Sequence, residues 1–134
     1  MAIDTGARIR IGELAQRTGL TERTIRYYEE LGLLESVRRL DGGQRVYTED
    51  DVRRLKFIGR LKVLGLSLGE MQELERLYRR HGSNRAVLPR LIELLDQHIA
   101  MIEQRIGELG TLRQEIRSYR EHVAQRLLAE EETR

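Results

Sequence analysis

The stretch TERTIRYYEELGLL, Thr21–Leu34, gathers two arginines and two tyrosines between Arg23 and Tyr28. A guanidinium group forks onto phosphate oxygens or the edge of a guanine, and a phenol hydroxyl can donate to phosphate. The chemistry on offer is therefore recognition of a polyanion. Read as a helix, Arg23, Arg26, Tyr27 and Glu30 share one face, while Ile25, Tyr28 and Leu31 share another. Tyr28 is predicted to be a core residue and Tyr27 to point outward. The outward face fits two readings: a solvated surface with a weak Arg26–Glu30 pair, or a surface that meets phosphate and base edges. The helix alone does not choose between them.

The elements around it bear on the choice. Thr21 is a good N-cap and Gly32 a good stop. Upstream, Ile9 and Ile11 alternate with Arg8 and Arg10 as in a short strand. IGELAQRTG then reads as a two-turn helix with Ile11, Leu14 and Ala15 inward. Only Gly-Leu-Thr separates this helix from the next, which is the helix-turn-helix pattern, and its second helix is the one that enters a DNA major groove. Downstream, Asp41-Gly42-Gly43 predicts a hairpin turn flanked by the strand formers Val37, Val46 and Tyr47. Arg38, Arg39 and Arg45 cluster near that turn. An arginine-tipped hairpin after a helix-turn-helix is a wing, whose phosphate contacts position a protein on a duplex.

Thr48 is expected to cap a further helix with Glu49, Asp50 and Asp51 in its first turn. Val52, Leu55, Ile58 and Leu61 face inward there, and Arg53, Lys56, Arg60 and Lys62 outward. Gly65 ends it, and Ser67 with Glu70 forms the capping box of the next helix. Leu68, Met71, Leu74, Leu77 and Tyr78 make the apolar side of that one.

From about Asn84 the pattern becomes one long helix, with Pro89 near its start. Counted by sevens, Leu88, Leu95, Ile102, Leu109, Ile116 and Val123 are aliphatic, with companions at Ile92, Ile99, Ile106, Arg113, Arg120 and Leu127. This is a coiled-coil seam. A small domain cannot bury so long a stripe alone, so the same helix of a second subunit is the simplest partner. Arg113 and Arg120 read either as the lining of a polar effector pocket or as snorkelling cations where the coil ends. Gly107 and Gly110 allow close helix approach or mark a loosened segment.

Composition sets outer limits. The chain has 134 residues, one proline and no cysteine, and 34% of its residues are charged. Frequent charge with almost no proline favours helices with long exposed faces. The absence of cysteine excludes disulfides and thiolate metal sites. His98 and His122 have no His, Asp or Glu four residues on, so neither they nor His81 read as ligands. The net charge is +2, and its basic excess falls in residues 1–62, a mild electrostatic hint of a polyanion partner. The N-terminus carries neither signal peptide nor span, so a cytoplasmic protein is expected. No nucleophile–base set, phosphate loop or metal motif supports an enzyme, and no cofactor is implied. The alternative to DNA binding is a coiled-coil adaptor whose N-terminal domain binds protein.

Three segments carry a resemblance: IGELAQRTGLTERTIRYYEELGLL, GGQRVYTEDDVRRLKFIGRLKVLGLSLGEMQEL and LIELLDQHIAMIEQRIGELGTLR. Together they span about Ile9 to Arg113, and the sequence resembles the MerR family of bacterial transcription regulators. The resemblance implies a mainly α fold, with a winged helix-turn-helix over residues 1–80 and a small β-hairpin wing. It further implies an antiparallel coiled-coil dimerisation helix over 81–127, and 128–134 is expected as a disordered tail. It also implies a homodimer on a pseudo-palindromic operator in double-stranded promoter DNA, acting with RNA polymerase by bending an over-long promoter spacer, at a deformation energy of order 1–6 kcal/mol. On this likeness Arg23, Arg26 and Tyr27 face DNA, Arg38, Arg39 and Arg45 belong to the wing, and Lys62 matches a second, helical wing. Leu88, Ile92, Leu95, Ile99, Ile102, Ile106 and Leu109 form the dimer seam. The chain departs from the family where the wing reads Gly43-Gln44-Arg45 in place of Gly-Tyr-Arg, and where Val123 stands near a sensor cysteine. An unknown small-molecule effector, a partner protein, or neither, stays open.

Overall fold

A computed structural model describes residues 8–34, 38–39 and 45–133, with only the backbone of 38–39. The elements run β1 (Ile9–Arg10), α1 (Ile11–Thr18), α2 (Glu22–Glu30), β2 (Arg38–Arg39), β3 (Arg45–Tyr47), α3 (Glu49–Val63), α4 (Leu68–His81) and α5 (Asn84–Glu132). The fold is mainly α, as expected. The strands form one antiparallel sheet in the order β1-β3-β2. Ile9 pairs with Tyr47, Arg10 and Arg38 with Val46, and Arg39 with Arg45. Val37, the Asp41-Gly42-Gly43 turn and Gln44 lie outside the described residues.

The helix boundaries follow local chemistry. The Thr21 hydroxyl accepts the Thr24 amide at 3.0 Å and starts α2. Leu31 caps the other end, and Gly32 turns the chain at φ +78°. There the Leu33 amide reaches back to the Tyr28 carbonyl at 3.0 Å, the six-to-one bond of a Schellman turn that a residue with Cβ accommodates poorly. The same device recurs after α3, with Gly65 at φ +94° and the Leu66 amide on the Leu61 carbonyl. Ser67 and Glu70 form the expected capping box for α4, at 3.1 Å and 2.9 Å. At α3, the Thr48 amide donates to Asp51 Oδ2 at 2.8 Å.

The chain divides into two compact units, residues 1–94 and 95–134. The core belongs to the first. Leu14, Ile25, Tyr28, Val52, Leu55, Ile58, Leu61, Met71 and Leu74 are buried, on the faces that helical spacing assigns them, together with Ile9 and Tyr47 of the sheet. Ile11, Ala15, Leu77 and Tyr78 are half-buried. Leu68, expected on the apolar side of α4, is instead exposed; it is the first residue of the helix, beside the open turn at Gly65.

Two boundaries differ from expectation. The first unit runs past residue 80 to Leu94, because Val87 and Leu94 of α5 are buried within it. These two side chains lie on a face of α5 other than the heptad stripe. Pro89 lies near the start of α5, as expected, and it has no N–H to donate to the Arg85 carbonyl. The expected disordered tail from residue 128 begins as helix: α5 continues through Glu132. Leu128, Ala129 and the glutamates after them are strong helix formers with no breaker among them. The second unit is this helix alone, and among the described residues no helix is long and apolar enough to cross a membrane.

Candidate nucleic-acid interface

Helix α2 presents two faces of opposite character. Ile25 and Tyr28 are buried, while Arg23, Arg26 and Tyr27 are exposed on the other side. The Tyr27 and Tyr28 rings lie 6.4 Å apart and tilted, so the inner ring braces the outer one. Arg26 faces Glu22 at 3.8 Å rather than the expected Glu30. A glutamate one turn toward the N-terminus is the better orientation for such a pair. At that distance and exposure the contact contributes little, which leaves the guanidinium free to meet an anion.

Arg45 is placed by a contact that periodicity alone does not announce. Glu29, with only 11% of its side chain exposed, receives Arg45 Nη1 at 3.2 Å and the Tyr47 hydroxyl at 2.8 Å, both on Oε1. One carboxylate thus ties the DNA-reading candidate α2 to wing strand β3. Burial pushes the Tyr47 hydroxyl well above the ordinary tyrosine range, and its bond to Glu29 pushes it further. Spacing places Glu29 on the edge of the inward face, four residues after Ile25 and next to Tyr28, but nothing local marks its distant partners.

The exit of α2 is held from α4. Gln72 Nε2 donates to the Leu31 carbonyl at 2.8 Å. Arg79 Nη2 donates to the carbonyls of Gly32 and Leu34, each at 3.3 Å. Arg79 is in turn oriented by Glu75, whose Oε2 it meets at 2.8 Å. Glu75 is itself buried and also pairs with Arg54 of α3, whose guanidinium stacks 4.7 Å from the centre of the Tyr78 ring. A buried carboxylate is tolerable only when paired in this way. Sequence reasoning placed none of these residues in the site.

Two further pairs brace the frame. Arg17 of α1 forks onto Glu49 of α3, with Nη2 at 2.8 Å from Oε1. That bond raises Arg17 and holds Glu49 below the usual carboxylate range. Arg90 of α5 grips Glu73 of α4, with Nη2 at 3.1 Å, and lowers its pKa through the hydrogen bond.

Lys62 is exposed two residues before the cap of α3, beside the exposed Val63 and Leu64. Arg38 and Arg39 lie on β2, paired to β3 through the backbone; their side chains are outside the described residues. Along α5, Leu88, Ile92, Ile99, Ile102, Ile106 and Leu109 are each 52–63% exposed, and Leu95 is half-buried. Among the described residues no cluster of three His, Asp or Glu side chains gathers to hold a metal.

A basic, aromatic helix face clamped to an arginine-bearing β-strand defines a winged helix-turn-helix protein. Comparison with known proteins narrows the class. Residues 9–77 match the model of the MerR HTH family regulatory protein, and residues 52–119 match a second model described as MerR, DNA binding. The uncharacterised HTH-type transcriptional regulator PA4778 of Pseudomonas aeruginosa is 38% identical over 84% of this chain and 83% of its own length. The HTH-type transcriptional regulator YfmP of Bacillus subtilis is 52% identical over 48% of this chain, and the match spans only 46% of YfmP. The crystal structure of the transcription regulator PbrR691 from Ralstonia metallidurans, in complex with lead(II), superposes with a TM-score of 0.64 at 33% identity, covering 84% of this chain and 85% of that one. The chain belongs to the MerR family of helix-turn-helix regulatory proteins.

Proposed function

We propose that the chain regulates transcription as a homodimer bound to a pseudo-palindromic operator in double-stranded promoter DNA. Residues 1–80 would read DNA, and residues 81–127 would pair two subunits through an antiparallel coiled coil. Arg23, Arg26 and Tyr27 would meet base edges and phosphates in the major groove, Arg38, Arg39 and Arg45 would follow the backbone as a wing, and Lys62 would contact phosphate as a second wing. Control would come from distorting the spacer that RNA polymerase must bridge, in the cytoplasm.

The observation that carries this reading is the shared carboxylate of Glu29, at 2.8 Å from Tyr47 and 3.2 Å from Arg45. It ties the exposed face of α2 to strand β3 of the wing, which supports a reading in which the two would meet a duplex together. Membership in a family of DNA-binding regulators and the basic face favour DNA over the adaptor reading. The unpartnered aliphatic stripe of α5 supports the second subunit. The matched family model describes an HTH regulatory protein, relatives are named transcriptional regulators, and no step of this function requires catalysis.

Affinity for a fragment of the gene's own promoter, measured across a salt series, tests the proposal. Several phosphate contacts predict a steep linear fall of log affinity with log salt. Binding that is flat with salt, or seen only with protein partners, would return the adaptor reading.

A further inference from the structure

Two arginines stand on the aliphatic stripe of α5, Arg113 and Arg120, where the earlier repeats carry aliphatic residues. Arg113 and Arg120 occupy the positions that Ile99 and Ile106 hold in earlier repeats. Both are exposed, as are Asp96 and Glu103. None of these four side chains makes an ion pair or hydrogen bond with another described residue. We propose that they are ionic keys between two copies of this chain. Arg113 reaches the partner's Glu103 and Arg120 the partner's Asp96, and together they set the orientation and register of the α5 pairing. The inference rests on the dimer proposed above and deepens it by naming the register.

The seam from residue 95 to 120 reads Leu95, Ile99, Ile102, Ile106, Leu109, Arg113, Ile116, Arg120. A parallel, in-register pairing stacks Arg113 on Arg113 and Arg120 on Arg120, and like charges facing across a seam select against that arrangement. An antiparallel pairing with its two-fold axis between Gly107 and Glu108 sets Leu95 against Arg120, Ile99 against Ile116, Ile102 against Arg113, and Ile106 against Leu109. Every seam residue is then used and no like charges meet. Each arginine stem lies along an aliphatic side chain, as long cationic side chains do. The residue following each of those aliphatics is an acid, Glu103 after Ile102 and Asp96 after Leu95.

Sliding the pair by one heptad breaks this match in either direction. One slide moves Arg120 opposite Leu88, which Pro89 follows; the other moves Arg113 opposite Leu109, which Gly110 follows. Either way one arginine loses its carboxylate. On the opposite flank of the Ile102 layer stands Arg105, which already faces Glu108 of its own chain at 3.9 Å. The two-fold falls beside Gly107, which has no side chain to hold the helices apart at their crossing.

The chain has no cysteine, so introduced cysteines report the register directly. Purified Ile99→Cys and Ile116→Cys proteins are mixed and oxidised. A mixed disulfide between the two is expected, with little of either homodisulfide. An Ile99→Cys homodisulfide would mean a parallel pair, and a dimer that forms no mixed disulfide would mean another register; each overturns the inference while leaving the dimer intact. A wild-type monomer in light scattering would sink both the inference and the dimer beneath it. Charge reversal supplies the second arm. Arg113→Glu alone and Glu103→Arg alone should each weaken dimerisation by roughly tenfold, equivalent to about 1.4 kcal/mol. The double variant should recover most of the loss, and failure to recover would refute the pairing.

Discussion

Replacing Glu29 with alanine should loosen the wing from α2, and the structure sets the size of the effect. Tyr47 is 1% exposed, and its hydroxyl gives its hydrogen to Glu29 at 2.8 Å. Without that acceptor a buried hydroxyl is left unsatisfied, a cost of about 1–3 kcal/mol. The Arg45 pair is partly exposed, so its loss adds no more than about 1 kcal/mol. A total near 2 kcal/mol corresponds to a drop in Tm of roughly 8–16 °C for a unit of this size. The assay is thermal and urea unfolding followed by circular dichroism at one fixed protein concentration, because a dimer's midpoint moves with concentration. Glu29→Gln keeps an oxygen for the Tyr47 hydroxyl and should cost less than half as much. Adding Tyr47→Phe to Glu29→Ala should recover part of the loss, because it removes the hydroxyl that Glu29→Ala leaves unsatisfied. Equal losses for Glu29→Ala and Glu29→Gln, or none for either, would refute the argument that the Tyr47 bond is what Glu29 supplies.

Three other outcomes follow from the same geometry. Arg26→Ala should abolish operator-specific binding in a gel shift while light scattering still reports a dimer; wild-type affinity would remove α2 from the interface. Ile102→Glu puts a charge on the exposed stripe and should yield monomer by sedimentation, and a persistent dimer would refute the seam. Tyr47 supplies a pH signature. Its folded-state pKa is raised by burial above the ordinary tyrosine value of about 10, so its contribution is complete below about pH 10 and is lost as pH climbs past it toward the folded-state value. Unfolding free energy should fall above that pH in the wild type and fall less in Tyr47→Phe; identical slopes would contradict the buried hydroxyl.

What could be read from the sequence was what local chemistry encodes. The two faces of α2 follow from helical spacing at Ile25 and Tyr28, and both are buried. The Thr21 cap and the Gly65-to-Ser67 turn follow from side chains within a few residues of the groups they satisfy. Contacts between distant residues were not legible. Glu29 meets Arg45 and Tyr47 across 16 and 18 residues, and Arg79 reaches the Leu34 carbonyl across 45. An acid looks the same in a sequence whether it is solvated or clamped, so Glu75 gave no sign of its burial. The heptad count had a parallel blind spot. It followed the stripe through Leu88 and Ile92 and had no place for Val87 and Leu94, which belong to a different face and bury the start of α5. It also ended the helix where the seam ended, although helix propensity carries on through Glu132.

Footprinting the purified protein on its own promoter region, across a salt series, tests the central claim most directly. The account predicts protection of an inverted repeat within a promoter spacer, weakening steeply as salt rises, and loss of that protection in Arg26→Ala. Protection of a single unsymmetrical half-site, or no protection at low salt on any fragment recovered by a genome-wide pull-down, would contradict it.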